Sequence, residues 1–149
     1  MKIAIVYYSK HHGNTKKLLD AMSRGRDVTL IDASQGERAD LSGYDLVGFA
    51  SGIYYSKFHK SVLSCAEKDL PQGKRVFLVY TYGAEKKGYT DAIRAVVEKK
   101  NAHVEGEYGC LGFNTFGPFK LIGGLAKGHP NQGEVAGAAE FLDQLVGAQ

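Results

Sequence analysis

The chain has 149 residues, 44% of them apolar and 23% charged. This is close to the globular average and long enough for one sizeable core, so wholesale disorder is excluded, and no apolar run approaches the ~18–20 residues that span a bilayer. Two features stand out, namely 19 glycines and a formal net charge of +3 from 19 Lys+Arg against 16 Asp+Glu; such a charge points to nucleic acid, an acidic partner or an anionic ligand.

Residues 2–8 read as a strand, a near-continuous apolar run of the kind covered on both faces. The run is too short for a signal-peptide core with its cleavage site. Residues 14–24 read as a helix with Leu18, Leu19 and Met22 on one stripe, and residues 27–32 as a short second strand. A third strand is expected at 45–51, then a helix at 57–68 burying Val62, Cys65 and Ala66. A fourth strand at 75–82 leads to a helix at 89–100 with Ile93, Val96 and Val97 inward. A fifth strand at 103–112 precedes a closing helix at 131–146, which carries Val135, Ala138, Leu142 and Leu145 inward. Asn131, with Glu134 three residues on, is its expected cap.

This alternation implies a parallel sheet with right-handed crossovers. Five strands with helices on both faces make a three-layer, doubly wound α/β fold, a single domain over residues 1–149. Such folds bind ligands outside the carboxyl ends of their strands, near the topological switch point. Glycine collects in the loops expected there: Gly13, Gly52, Gly83 and Gly88, then nine more from Gly106 to Gly137. The two cysteines, Cys65 and Cys110, lack metal-ligand spacing and read as small buried thiols of a reducing, cytoplasmic protein.

The loop after the first strand runs Ser9-Lys10-His11-His12-Gly13-Asn14-Thr15 into the first helix. It offers hydroxyls, an amide and backbone N–H groups at a helix N-terminus, where the dipole favours an anion. The Walker pattern G-x-x-x-x-G-K-[ST] and the G-x-G-x-x-G fingerprint are both absent. Asp32, 19 residues beyond Gly13, mimics a ribose-binding acid without the glycines that would support it. A receiver domain needs acids after strand one, and a low-molecular-weight tyrosine phosphatase needs Cys, five residues, then Arg. Neither pattern is present, since Pro71 follows Cys65 and Phe116 follows Cys110 at that distance.

What remains, S-x-x-x-G-N-T between first strand and first helix, resembles the phosphate loop of the flavodoxin family. Ser9, Gly13, Asn14 and Thr15 match it, while His11 and His12 depart from it. The order of elements resembles a short-chain flavodoxin along the whole chain. The resemblance implies a flavodoxin-like sheet of order 2-1-3-4-5, and FMN held by its 5′-phosphate on the first loop, Ser9, Lys10, His11, His12, Gly13, Asn14 and Thr15. It also implies two further cofactor loops: Ser51, Gly52, Ile53, Tyr54, Tyr55, Ser56 and Lys57 after the third strand, and Thr81, Tyr82, Gly83 and Tyr89 after the fourth. Tyr54, Tyr55 and Tyr89, with Tyr82 next, are the candidate walls for the ring. Read from the residues alone, Tyr82 is equally the end of a core strand and Tyr89 a helix-capping residue. The long connection from Phe113 to Asn131 would cover the flavin edge or form a partner surface.

The resemblance implies an FMN electron carrier between redox enzymes, the flavin carrying the chemistry with no catalytic side chain and no metal. The alternative is an FMN-dependent oxidoreductase acting on a quinone or other small molecule, with Lys57 and His59 near substrate. A nucleic-acid role finds no reading motif, because the cations lie on loops rather than along one helix face. They gather at the expected carboxyl edge: Lys10, His11, His12, Lys57, His59, Lys60, Lys86, Lys87, Lys120, Lys127 and His129. Flavodoxins are typically acidic there, so the basic rim implies partners with an acidic docking surface and an association that weakens with salt.

Overall fold

The computed structural model describes residues 1–10, 13–113 and 126–147. Its elements are β1 (Ile3–Tyr8), α1 (Asn14–Ser23), β2 (Val28–Asp32), a 3-10 turn (Ala33–Gln35), β3 (Leu46–Tyr54), β4 (Lys57–Phe58), α2 (Lys60–Asp69), β5 (Arg75–Tyr82), α3 (Asp91–Lys99), β6 (His103–Leu111) and α4 (Gln132–Gly147). The long strands run parallel in the order β2-β1-β3-β5-β6, with β4 antiparallel beside β3. Setting β4 aside, this is the expected 2-1-3-4-5 order.

Side chains alternate across the sheet, as the period-2 geometry of strands requires. Ile3 and Ile5 of β1, Leu46 of β3, and Phe77 and Val79 of β5 pack with Leu18, Leu19 and Met22 of α1 and Ala138 and Leu142 of α4. Their neighbours Ala4, Val6, Val47, Phe49, Val76 and Leu78 face the other way, onto Val62 and Ala66 of α2 and Ile93 and Val97 of α3. Both sheet faces are therefore buried, which is why the strands read as continuous apolar runs. The α4 cap forms as expected: Asn131 Oδ1 accepts the Glu134 N–H at 2.9 Å, and Glu134 Oε1 accepts the Asn131 N–H at 2.8 Å.

Three expected boundaries are corrected. Strand β3 continues past residue 51 to Tyr54, so Ser51, Gly52, Ile53 and Tyr54, expected in a loop, lie on the strand, held there by pairing with β5 and β4. Residues 57–58 are not helical. Lys57 and Phe58 pair with Tyr54 and Ile53 as an antiparallel hairpin, and Phe58 buries its ring in the core. Helix α2 starts at Lys60, where the His59 ring nitrogen Nδ1 caps it by accepting the Ser61 N–H at 3.1 Å. Residues 89–90 also precede their helix. Tyr89 is buried within the loop, and Asp91 opens α3 with its carboxylate in the first turn, where the helix dipole favours it.

Cys65 lies on α2 and Cys110 on β6, both free thiols. Burial pushes each up to about 12, so both stay protonated and unreactive at neutral pH. Among the described residues, no helix is long and apolar enough to cross a membrane.

Candidate functional site

An open cleft lies at the carboxyl ends of β1, β3, β5 and β6. It lies where the order of the sheet reverses, between β1 and β3, the position that doubly wound topology dictates.

One end of the cleft is the start of α1. Gly13 holds φ 63° and caps the helix without a side chain, a left-handed turn that glycine adopts at no steric cost. Ser9 Oγ accepts the Lys16 N–H at 3.0 Å, bracing the first turn from the end of β1. The ladder of α1 begins with the Lys17 N–H on the Gly13 carbonyl, so the N–H groups of Asn14 and Thr15 lie outside it and face the helix start. Thr15 and Thr81, both buried, share a hydroxyl–hydroxyl bond of 2.9 Å that ties the first loop to β5.

Asn14 is the least satisfied residue here. Its Nδ2 donates to the Phe113 carbonyl at 2.7 Å, yet its buried Oδ1 has no partner among the described residues. A buried acceptor without a donor costs about 1–3 kcal/mol, and a ligand hydroxyl or N–H in the cleft would relieve it. Gly112 makes the arrangement possible, because a Cβ there would stand 2.8 Å from Asn14 Nδ2 and 3.0 Å from Cγ.

The other end is aromatic. Tyr54 of β3 and Tyr82 of β5 both line the cleft. Behind Tyr54, the rings of Tyr8 and His59 stack at 3.7 Å and 8°, and Tyr54 meets both edge-on at 5.5 and 5.1 Å. Burial, reinforced by the nearby charges of Lys60 and Lys10, lowers the His59 pKa, which favours the neutral ring in this stack. Behind Tyr82 stand Tyr89 and Tyr80, at 5.7 and 5.9 Å. Burial, with the charge of Glu85, raises the Tyr82 pKa and keeps the phenol protonated.

Of the residues expected to touch a cofactor, the cleft gathers Ser9, Lys10, Asn14, Thr15, Gly52, Ile53, Tyr54, Thr81, Tyr82 and Gly83. Gly13 stands just behind as the cap. Ser51 is fully buried, where its hydroxyl accepts the His59 N–H at 3.0 Å and donates to the Gly52 carbonyl at 2.5 Å. Tyr89 backs Tyr82 rather than lining the cleft, its hydroxyl donating to the Ala84 carbonyl at 2.5 Å. Tyr55, Ser56 and Lys57 project from the hairpin beyond the cleft lining, exposed to solvent. His11 and His12, and residues 114–125 of the long connection, lie outside the described residues. Gly112 and Phe113 complete the lining. Gly112 is absent from the expected cofactor set, and the one available signal was a glycine closing the fifth strand.

The sequence profile of the flavodoxin domain family matches residues 5–112, from β1 to the end of β6. The chain belongs to the flavodoxin family. This flavodoxin-family chain is 34% identical over 148 residues to the uncharacterized protein MJ0298 of Methanocaldococcus jannaschii, covering 98% of this chain and 99% of that one. Among solved structures it is similar to a flavodoxin from the domain Archaea, with a TM-score of 0.68 and 17% identity over 99% of this chain and 98% of the other. An NADPH-quinone reductase from P. pentosaceus also shares its fold, with a TM-score of 0.62 and 11% identity over 95% and 98% of the two chains. At these identities the likeness to the solved structures is one of fold, and the fold serves carriers and enzymes alike.

Proposed function

We propose that this protein binds FMN in the cleft and carries electrons between redox enzymes in the cytoplasm. The observation that carries the reading is a single cleft that joins an anion-favouring helix start to aromatic walls. FMN has the matching parts, a phosphate, a chain of hydroxyls and a flat ring. The α1 start, with the Ser9 and Thr15 hydroxyls and Lys10, would take the phosphate. Asn14 Oδ1, a buried acceptor lacking a donor, fits a ligand hydroxyl. Tyr54 and Tyr82 would hold the ring and exclude water from it. When bound, the flavin supplies the one- and two-electron chemistry.

The alternative is an FMN-dependent oxidoreductase; the described lining, whose titratable side chains are one lysine and two tyrosines, serves either role, because the flavin supplies the chemistry in both. Partners with an acidic docking surface fit the exposed lysines on the rim, Lys10, Lys57, Lys60, Lys86, Lys87 and Lys127.

The test is to titrate the purified protein with FMN, FAD and riboflavin and follow flavin fluorescence. FMN is expected to bind in preference to both, and a protein that takes up none of them refutes the reading. Turnover of NAD(P)H or a quinone by the loaded protein alone would instead support the oxidoreductase. A second prediction uses the close approach of Gly112 to Asn14. Gly112→Ala is expected to displace the Asn14 amide and weaken FMN on the order of tenfold, equivalent to about 1.4 kcal/mol, with Asn14→Ala producing a similar loss in the same titration.

A further inference from the structure

We propose that Tyr55 is the anchor of a docking surface for an acidic redox protein, with Lys57 and Lys60 setting the sign of charge around it. The proposal rests on the carrier reading and goes beyond it by naming the contact.

Tyr55 is 83% exposed; with Met1 it is one of two large exposed hydrophobic side chains among the described residues. A single exposed aromatic is ordinary by itself. What distinguishes Tyr55 is how it is held. Tyr54 and Lys57 pair across a two-residue turn in which Tyr55 has φ 51° and Ser56 φ 66°. Two successive positive φ values are what a type I′ hairpin demands, and Asn-Gly meets that demand with far less strain. Side chains that keep such a conformation persist where the surroundings enforce it, and they cluster at functional sites.

The surroundings here are rigid. Phe58 is buried at the base of the hairpin, the Ser51 hydroxyl accepts the His59 N–H, and the His59 ring is stacked on Tyr8. A large amphipathic ring is thus presented on a fixed stalk, with much of its ordering cost already met. Those are the properties of an interface hot spot.

Three lysines stand on the hairpin or close to its base. Lys57 lies on the hairpin itself. Lys60 opens α2, and both Lys60 and Lys10 sit close enough to His59 to depress its basicity. Among the described residues, none of these three lysines is in an ion pair. Asp32, whose carboxylate accepts the Ser34 N–H and hydroxyl, feels the charge of Lys10, which leaves Lys57 and Lys60 as the cations that set the local sign. A complementary partner therefore offers an apolar socket ringed by carboxylates. Tyr54, the neighbour of Tyr55, lines the cleft, so a protein seated on Tyr55 abuts the proposed cofactor site.

The experiment immobilises the FMN-loaded protein and measures binding of a plant-type ferredoxin, an acidic probe, and of cytochrome c, a basic control, by surface plasmon resonance at rising salt. Ferredoxin is expected to bind more tightly than cytochrome c, with an association rate that falls as salt rises. Tyr55→Gly relieves the left-handed backbone, so its Tm is expected to rise while its ferredoxin affinity falls roughly tenfold or more. Joint Lys57→Gln and Lys60→Gln substitution is expected to slow association and flatten its salt dependence. Unchanged ferredoxin affinity in Tyr55→Gly, or cytochrome c binding as tightly as ferredoxin, would overturn the proposal. Flavin absorbance is read on every variant, so failure to hold FMN, which counts against the carrier reading, is told apart from failure to dock.

Discussion

Gly48→Ala is expected to be among the most destabilising single substitutions in the chain. Gly48 sits in the middle of β3, directly across from Phe77 of β5. A Cβ at Gly48 would meet the Phe77 ring at 2.3, 2.5 and 2.9 Å, and Phe77 is completely buried. The ring fills the space that a side chain at Gly48 would occupy, with α1 and α4 packed over the same layer. Neither strand can move without shifting the parallel ladder on both sides. Overpacking of a filled core costs about 1–3 kcal/mol and sometimes more, a large part of the roughly 5–15 kcal/mol that holds a domain together. Urea denaturation of the variant checks this, and Gly48→Ala with Phe77→Leu is the control. The pair is expected to lose clearly less than the sum of the single losses; simple additivity would show that the ring does not fill the Gly48 site. A parallel contact gives a graded comparison. A Cβ at Gly109 would stand 2.4 Å from the Tyr80 ring, but Tyr80 is only partly buried and can swing outward, so Gly109→Ala is expected to cost less.

These two glycines have a packing role that the sequence does not display. The fold itself was legible because strands buried on both faces must be apolar throughout, and helices buried on one face must repeat that pattern at their own period. Glycine in a sequence signals turns, and Gly13 does open a cleft loop, while Gly52 lines the cleft from within β3. Gly48 and Gly109 serve packing instead, each facing an aromatic ring on the adjacent strand. That pairing depends on register between strands far apart in sequence, which one chain does not reveal. The β4 hairpin is hidden in the sequence for a local reason. Its turn residues are Tyr55 and Ser56, where the usual signal is Asn-Gly, so residues 57–58 resemble the start of the helix that follows.

The cleft lining was legible where residues close in sequence stay close in space, as in Ser9, Asn14 and Thr15. It was not legible where a residue's role depends on what lies behind it. Tyr89 and Ser51 are both expected at the cofactor, yet Tyr89 turns inward to support Tyr82, and Ser51, on β3, is spent on anchoring His59. Gly112 is the converse, since its place at the cleft follows from the Asn14 amide packed against it.

Thr15→Val is expected to weaken FMN by roughly ten- to a hundredfold while leaving riboflavin nearly unaffected. Thr15 is 1% exposed, and its hydroxyl meets that of Thr81 at 2.9 Å. Two hydroxyls bring two protons, and the bond between them uses one. The other remains for an acceptor at the start of α1, where the dipole already favours negative charge. A hydrogen bond to a charged oxygen is worth about 1.5–3 kcal/mol, which sets the expected loss at tenfold per 1.4 kcal/mol. Riboflavin lacks the phosphate and so isolates the contact: an equal loss for both ligands would place Thr15 under the ring or in the fold rather than on the phosphate. Thr15→Ser keeps the hydroxyl and is expected to restore most of the FMN affinity. Thr81→Val removes only the partner, so it is expected to fall between Thr15→Ser and Thr15→Val, because the remaining Thr15 hydroxyl still has its proton but is no longer held in direction by β5. Fluorescence titrations of the three variants with both ligands therefore separate a phosphate donor from the neighbour that aims it.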